Sequence, residues 1–253
     1  MIRVARGPAL EGFEQRARKW EDDYQAAKDL DQGLTVSVFW GRIRSHIQDD
    51  AGQLFQVCHG KCAFCESHMA HVSSPHVEHY RPKSKFPELA FKWDNWLLSC
   101  GRCNDKKWAH FPDCNNEPCL INPVEDDPEA HIEFIGYVPM PRTKRGDETI
   151  RLIQLDRSPL EEERSWWLAC VNGLLVICVS SDIQEIRREA RLLLIWSMQD
   201  EAPYAAMTRC YLREKAPRLA SPLHPHPHVV AHEPIQRIQQ LVDDLAINLE
   251  RLE

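Results

Sequence analysis

The 253-residue chain contains no apolar run long enough to span a bilayer, which takes about 20 consecutive apolar residues. Its N-terminus lacks the charged-then-apolar pattern of a secretory signal. A cytoplasmic address is therefore expected, with no membrane partner. A basic excess is missing as well. Lys and Arg number 31 against 38 Asp and Glu, a formal net charge of −7. Chains that hold nucleic acid unaided are usually basic, because neutralising phosphates supplies most of the affinity. Any basic footprint here must be local, or a partner must supply the rest. No internal repeat is visible. At this length one or two domains are equally admissible.

What the chain does have is cysteine, ten in all. Without a signal pattern they are expected as thiolate ligands and buried thiols rather than disulfides. Four of them form two C-x-x-C pairs, Cys62 with Cys65 and Cys100 with Cys103. Such pairs close a tetrahedral zinc site, thiolates being the soft ligands zinc favours. A four-thiolate site leaves no position for water, so this zinc is structural. It would staple two distant segments and fix whatever lies between them.

The residues between are of another kind. Glu78-His79 sits in VEHYRPKS, and KWDNWLLSCGRCNDKK leads through the second pair. A neutral imidazole accepts a proton from water near pH 7, which makes His79 the candidate general base. Glu78 is a hard oxygen ligand suited to Mg2+ or Mn2+. Asn104, expected in the first turn of a helix starting near Cys103, could complete that site through its amide oxygen. Asn95 is expected to bond backbone groups, holding the His79 loop against the helix. Arg81, Lys83, Arg102, Lys106 and Lys107 concentrate positive charge around the same segment and together suggest contacts to a nucleic-acid backbone. This mixture suits hydrolysis of a phosphodiester better than a purely structural role.

Elsewhere the pattern is mostly helical. Residues 9–31 and 35–57 show apolar steps of three and four, and these two helices are expected to pack against the central module rather than to enter its site. Residues 110–147 read as irregular, with a short strand near His131–Val138. Three helices follow. The first opens with a Ser158-Pro159-Leu160-Glu161 capping box, the second repeats the logic with Asp182 and Glu185, and the third runs from Pro203 to about Lys215. Trp166, Trp167 and Trp196 are read as helix core, and Glu125, Asp126, Asp127 and Glu129 as a solvated acidic turn. His110, Cys114 and Cys119, and the linker histidines His224, His226 and His228, are not expected to bind metal. The expected organisation is a helical segment at 1–57, the cysteine-stapled module with an irregular extension at 58–150, and a helical region at 151–215. A Pro/His-rich linker at 216–232 and an amphipathic helix at 233–253 complete it.

C-x-x-C, E-H-x-x-P, N-W-L-L-x-C-x-x-C-N and the following lysine resemble the HNH nuclease motif in its zinc-stapled form. His79 and Asn95 match the first two signature letters, and Asn104 stands where the last histidine would be. That resemblance implies an α+β, mostly helical chain with a ββα-metal (HNH, treble-clef-like) module embedded between N- and C-terminal helices. The blocks EHYRPKS, KWDNWLLSC, CNDKK, LINPVEDDPEAHIEF and DETIRLIQLDRSPLEEER further resemble the HNH subunit (PtuB) of Septu-type anti-phage systems, also found beside some retrons. This implies cleavage of invading DNA together with an AAA-type ATPase (PtuA-like), structural Zn2+, and catalytic Mg2+ or Mn2+. Two alternatives stay open: an effector that cleaves RNA, including tRNA, and a non-catalytic zinc-binding adaptor for nucleic acid or protein.

Overall fold

The computed structural model describes residues 1–69, 75–114, 117–220, 243 and 247, with backbone alone at 216–220. Helix α1 spans Phe13–Leu30 and buries Phe13, Ala17 and Trp20 at steps of three and four. The expected single helix over 35–57 is instead three pieces. Helix α2 (Val36–Ile43), capped by the Thr35 hydroxyl accepting from the Val38 amide, runs through a 3-10 turn at Arg44–Ile47 into α3 (Gln48–Val57). Val36, Phe39, Ile43, Ile47 and Leu54 face inward, while Val38 points to solvent. The buried Asp50 is paired with Arg16 of α1 at 2.5 Å, fixing α1 against α3.

The centre of the molecule is a ββα unit. Strand β1 (Pro75–His79) pairs antiparallel with β2 (Trp96–Cys100), and α4 (Gly101–Lys107) follows without a linker. Pro82 and Pro87 lie in the connection between the strands and cannot donate to a ladder, so that connection is a loop containing two 3-10 turns. Strand β2 is buried along its whole length, so it reads as a continuous apolar run rather than an alternating one. Trp96 anchors it, with the rings of Phe13, Trp93, Trp40 and Trp20 at 5.2–6.4 Å. This aromatic cluster fastens α1 and α2 to the central hairpin.

Beyond α4, the short helix α5 (Pro128–His131) leads into the hairpin β3 (Ile132–Ile135) and β4 (Val138–Pro141), turned at Gly136 with φ of 61°. Helix α6 (Lys144–Ile153) falls partly in a stretch read as irregular. Thr143 caps it, and Gly146 lets it approach the α5–β3 junction, because an added Cβ would lie 2.0 Å from the His131 carbonyl oxygen. The acidic turn is not merely solvated: Arg145 pairs with Asp126, and Arg209 and Arg213 pair with Glu129.

Helices α7 (Ser158–Ser180) and α8 (Gln184–Ser197) form an antiparallel hairpin with their own core of Val171, Leu175, Cys178, Ala190, Leu194 and Met198, joined by Leu212 of α9 (Ala205–Ala220). The expected capping box does not form. Ser158 is already helical, Arg157 occupies the cap, and the Ser158 hydroxyl donates to Glu162. Nor does α8 carry a side-chain cap, Ile183 being its N-cap residue. Trp166 is 73% exposed and Trp196 46%, so only Trp167 packs as expected. Helix α9 extends five residues past the expected end, and the rest of the proline-rich segment lies outside the described residues. So does the terminal amphipathic helix, apart from Asp243 and Ile247, which are helical. Among the described residues no helix is long and apolar enough to cross a membrane.

Candidate active site and thiolate metal centre

The β1–β2 register sets both functional regions. Pro75 pairs with Cys100 at one end of the hairpin and His79 with Trp96 at the other. Four residue steps separate the ends, about 13 Å at strand rise.

At the first end Cys62 and Cys65 come from the turn before β1, while Cys100 and Cys103 straddle the β2–α4 junction. Their four Sγ atoms are buried and lie within 4.8 Å of one another, with Cys65 and Cys100 at 3.9 Å. A tetrahedron with about 2.3 Å metal–sulfur bonds has edges of about 3.8 Å, so the cluster fits one ion. Cys100 is also the N-cap of α4, its sulfur accepting from the Cys103 amide. The helix therefore starts at Gly101, two residues earlier than expected, and Asn104 is its fourth residue rather than a cap. Arg157 donates to the Cys103 sulfur at 3.5 Å, which offsets thiolate charge. Among the described residues no other group of three or more His, Cys, Asp or Glu side chains could share an ion. Cys114 and Cys119 are joined as a disulfide, contrary to the expectation of thiols throughout. The Asp113–Pro118 bridge closes that loop and holds the two Cα atoms 5.1 Å apart.

At the second end the His79 Nε2 lies 2.9 Å from the Ala90 carbonyl oxygen. A carbonyl only accepts, so Nε2 carries the proton and the Nδ1 lone pair is left for another. The ring packs edge-to-face on Trp40 at 4.5 Å. Burial first, then the charge of Lys83, push its pKa down to about 3, so the imidazole is neutral. Asn95 holds the loop that positions it: its side-chain oxygen accepts from the Arg81 amide, and its amide group donates to the Arg81 and Leu89 carbonyls. These partners lie on the loop itself, not on α4.

Glu78 and Lys107 form a buried ion pair. The Lys107 ammonium donates to Glu78 Oε1 and to the His79 carbonyl oxygen, each at 2.6 Å. Burial raises the Glu78 pKa and lowers that of Lys107. Lys107 is therefore not available to a nucleic-acid backbone, which corrects the expectation. Its position one turn after Cys103 points it under β1, where a second lysine next to a solvated Lys106 gave no sign of burial. The other cations are dispersed. Arg81 stacks over Phe86 and Phe111 at 5.6 and 5.3 Å, and Lys83 sits 5.7 Å over Trp40. Arg102 is exposed, and Lys106 lines a separate cavity of about 430 Å3 with Lys85, His110 and Arg151.

Glu78, His79, Lys83 and Asn104 line one cleft of about 940 Å3. Glu78 brings one carboxylate oxygen not taken by Lys107 and Asn104 one amide oxygen to this lining, ligand types that suit a hard cation such as Mg2+ or Mn2+. The opposite wall was not expected. Trp40 and Arg42 of α2, with Arg44 and Ser45 of the 3-10 turn, face the same space. Trp108, 73% exposed, completes the rim.

A motif of this composition on a ββα unit has a known counterpart. Residues 62–109 match the HNH endonuclease family. The matched stretch covers the thiolate cluster, the hairpin and α4. Over 105 residues the chain is 36% identical to the Septu protein PtuB of Bacillus thuringiensis, covering 41% of this chain and 40% of that one. It is 34% identical over 142 residues to the Septu protein PtuB of Bacillus mycoides (strain KBAB4), covering 44% and 48%. The matches thus span under half the length of either curated relative.

Proposed function

We propose that this chain is a metal-dependent HNH endonuclease that hydrolyses phosphodiester bonds of invading DNA as the effector of an anti-phage complex with an AAA-type ATPase. The observation that carries the chemistry is the hydrogen bond that orients the His79 ring at the cleft. With Nε2 fixed on the Ala90 carbonyl oxygen and the ring neutral, Nδ1 takes the proton from a water molecule as its oxygen attacks phosphorus in line. The leaving oxygen departs from the opposite side, giving a 5′-phosphate and a 3′-hydroxyl. A divalent cation held by Glu78 and Asn104 would supply Lewis-acid stabilisation of the charge on the phosphoryl and leaving oxygens. Lys107 keeps the Glu78 carboxylate oriented, and Asn95 keeps the His79 loop closed. In this reading zinc occupies the four thiolates and takes no part in the chemistry.

The ATPase rests on similarity to the Septu proteins. Exposed apolar side chains on α7 and α8, among them Trp166, Val176, Leu192 and Trp196, offer a partner a surface. The test is cleavage of plasmid DNA and of tRNA by the chain alone and after co-expression with the ATPase, in EDTA and then with Mg2+ or Mn2+. The proposal expects DNA cleavage restored by either cation, co-elution of the pair, and activity that responds to ATP. Cation-independent or absent cleavage by a correctly assembled pair contradicts it.

A further inference from the structure

The cleft around His79 has two walls, and the HNH domain supplies only one. The other is α2 and the 3-10 turn after it, more than 30 residues before the histidine. This wall is not a loose cover. Phe39 and Ile43 are buried, and Trp40 contacts the imidazole edge-on while stacking on Phe91 at 6.1 Å. The position of the turn is therefore tied to that of the proposed base.

Arg42 and Arg44 stand on this wall, both exposed. Among the described residues neither guanidinium has a carboxylate partner, although acidic side chains outnumber basic ones in the chain. The cleft lining carries Arg42, Arg44 and Lys83 against one carboxylate, Glu78, whose charge Lys107 already meets. In a chain of net charge −7 this is a local positive lining, the footprint a polyanion needs. Guanidinium groups suit it, since their planar fork matches phosphate oxygens.

We propose that Arg42 and Arg44 grip the backbone of the nucleic acid on the side of the cleft facing α4, making the N-terminal helices part of the substrate site. This rests on the nuclease reading for its substrate. The contacts are to phosphate, so they are independent of base sequence. The strand lies between the arginine wall and the Asn104–Trp108 side, with its scissile phosphate over His79.

The test measures binding and cleavage separately. Binding of a fluorescent oligonucleotide to the full chain is followed at low ionic strength in EDTA, in a His79→Ala background that slows cutting. Arg42→Ala/Arg44→Ala should weaken binding about 10- to 100-fold. The slope of log K against log salt should fall by about one to two, as about 0.9 is lost per phosphate contact. Arg42→Lys/Arg44→Lys should recover most of the affinity. Arg18→Ala/Arg188→Ala, which removes the same charge from outside the cleft, should leave binding within about twofold. In the otherwise wild-type chain the double alanine variant should raise KM far more than it lowers kcat. Folded protein with full metal content and an unchanged Kd and salt slope overturns the proposal, as does equal weakening by the distant pair. Binding that depends on both arginines in a chain that cuts nothing would fail the nuclease reading and leave this groove standing.

Discussion

The two ends of the β1–β2 hairpin are built from the same strands and do opposite things. At the Cys100 end four sulfurs enclose a site with no open position. At the His79 end a histidine, a carboxylate and an amide line an open cleft of about 940 Å3. The first end is held by ligands supplied from both sides of the hairpin. The second is held indirectly, by Asn95 closing the loop, Lys107 bracing Glu78, and Trp40 packing on the ring. A closed metal site tolerates little change because its ligands are the fold there. An open site can lose its reacting group and keep its frame.

The largest effect should come from breaking the closed end. Cys62→Ser or Cys100→Ser should yield insoluble or misfolded protein, since the free energy of metal binding is folding free energy at such sites, about 10–16 kcal/mol for zinc-finger peptides. Metal analysis of the wild type should give about one zinc per chain. Folded, zinc-free wild type would remove the distinction between the ends.

Lys107→Ala tests whether the open end also contains structure. It strands a buried carboxylate, and should cost about 3–5 kcal/mol in chemical denaturation. Lys107→Met with Glu78→Gln should recover much of that loss while remaining inactive. A stable Lys107→Ala protein would mean that the pair is not formed. Asn95→Ala should cost less, about 1–3 kcal/mol, for the loop groups it leaves unpaired. Smaller still, Trp166→Ser on exposed α7 surface should change stability by about 0.5 kcal/mol or less. A large loss there would show that the chain alone already covers that face.

The thiolate cluster was legible because metal ligation imposes spacing on the two C-x-x-C pairs, whereas the ββα unit was legible only through the HNH resemblance that those pairs carry together with Glu78-His79, Asn95 and Asn104. The helices of the N-terminal region were legible from apolar periodicity, and their role was not. Trp40, Arg42 and Arg44 approach His79 only through the aromatic packing around Trp96, and nothing in their local sequence marks that contact. Lys107 was misread for a related reason. A lysine beside another lysine is normally solvated, and its burial depends on which face of α4 meets β1. The Cys114–Cys119 bond and helix α6 were hidden by a surrounding stretch rich in Pro, Asp and Asn, where composition outweighed the Thr143 cap.

The central claim is that folding and chemistry separate along one hairpin, and His79→Ala addresses it most directly. Ala90 would still accept a hydrogen bond from the Trp96 indole, so removing the imidazole orphans no buried carbonyl. The measurement is the single-turnover cleavage rate of purified His79→Ala carrying its full complement of zinc, assembled as the active wild type is. The account predicts a rate lower by about 10²–10⁴-fold with the metal centre intact. A wild-type rate, or loss of zinc together with activity, would contradict it.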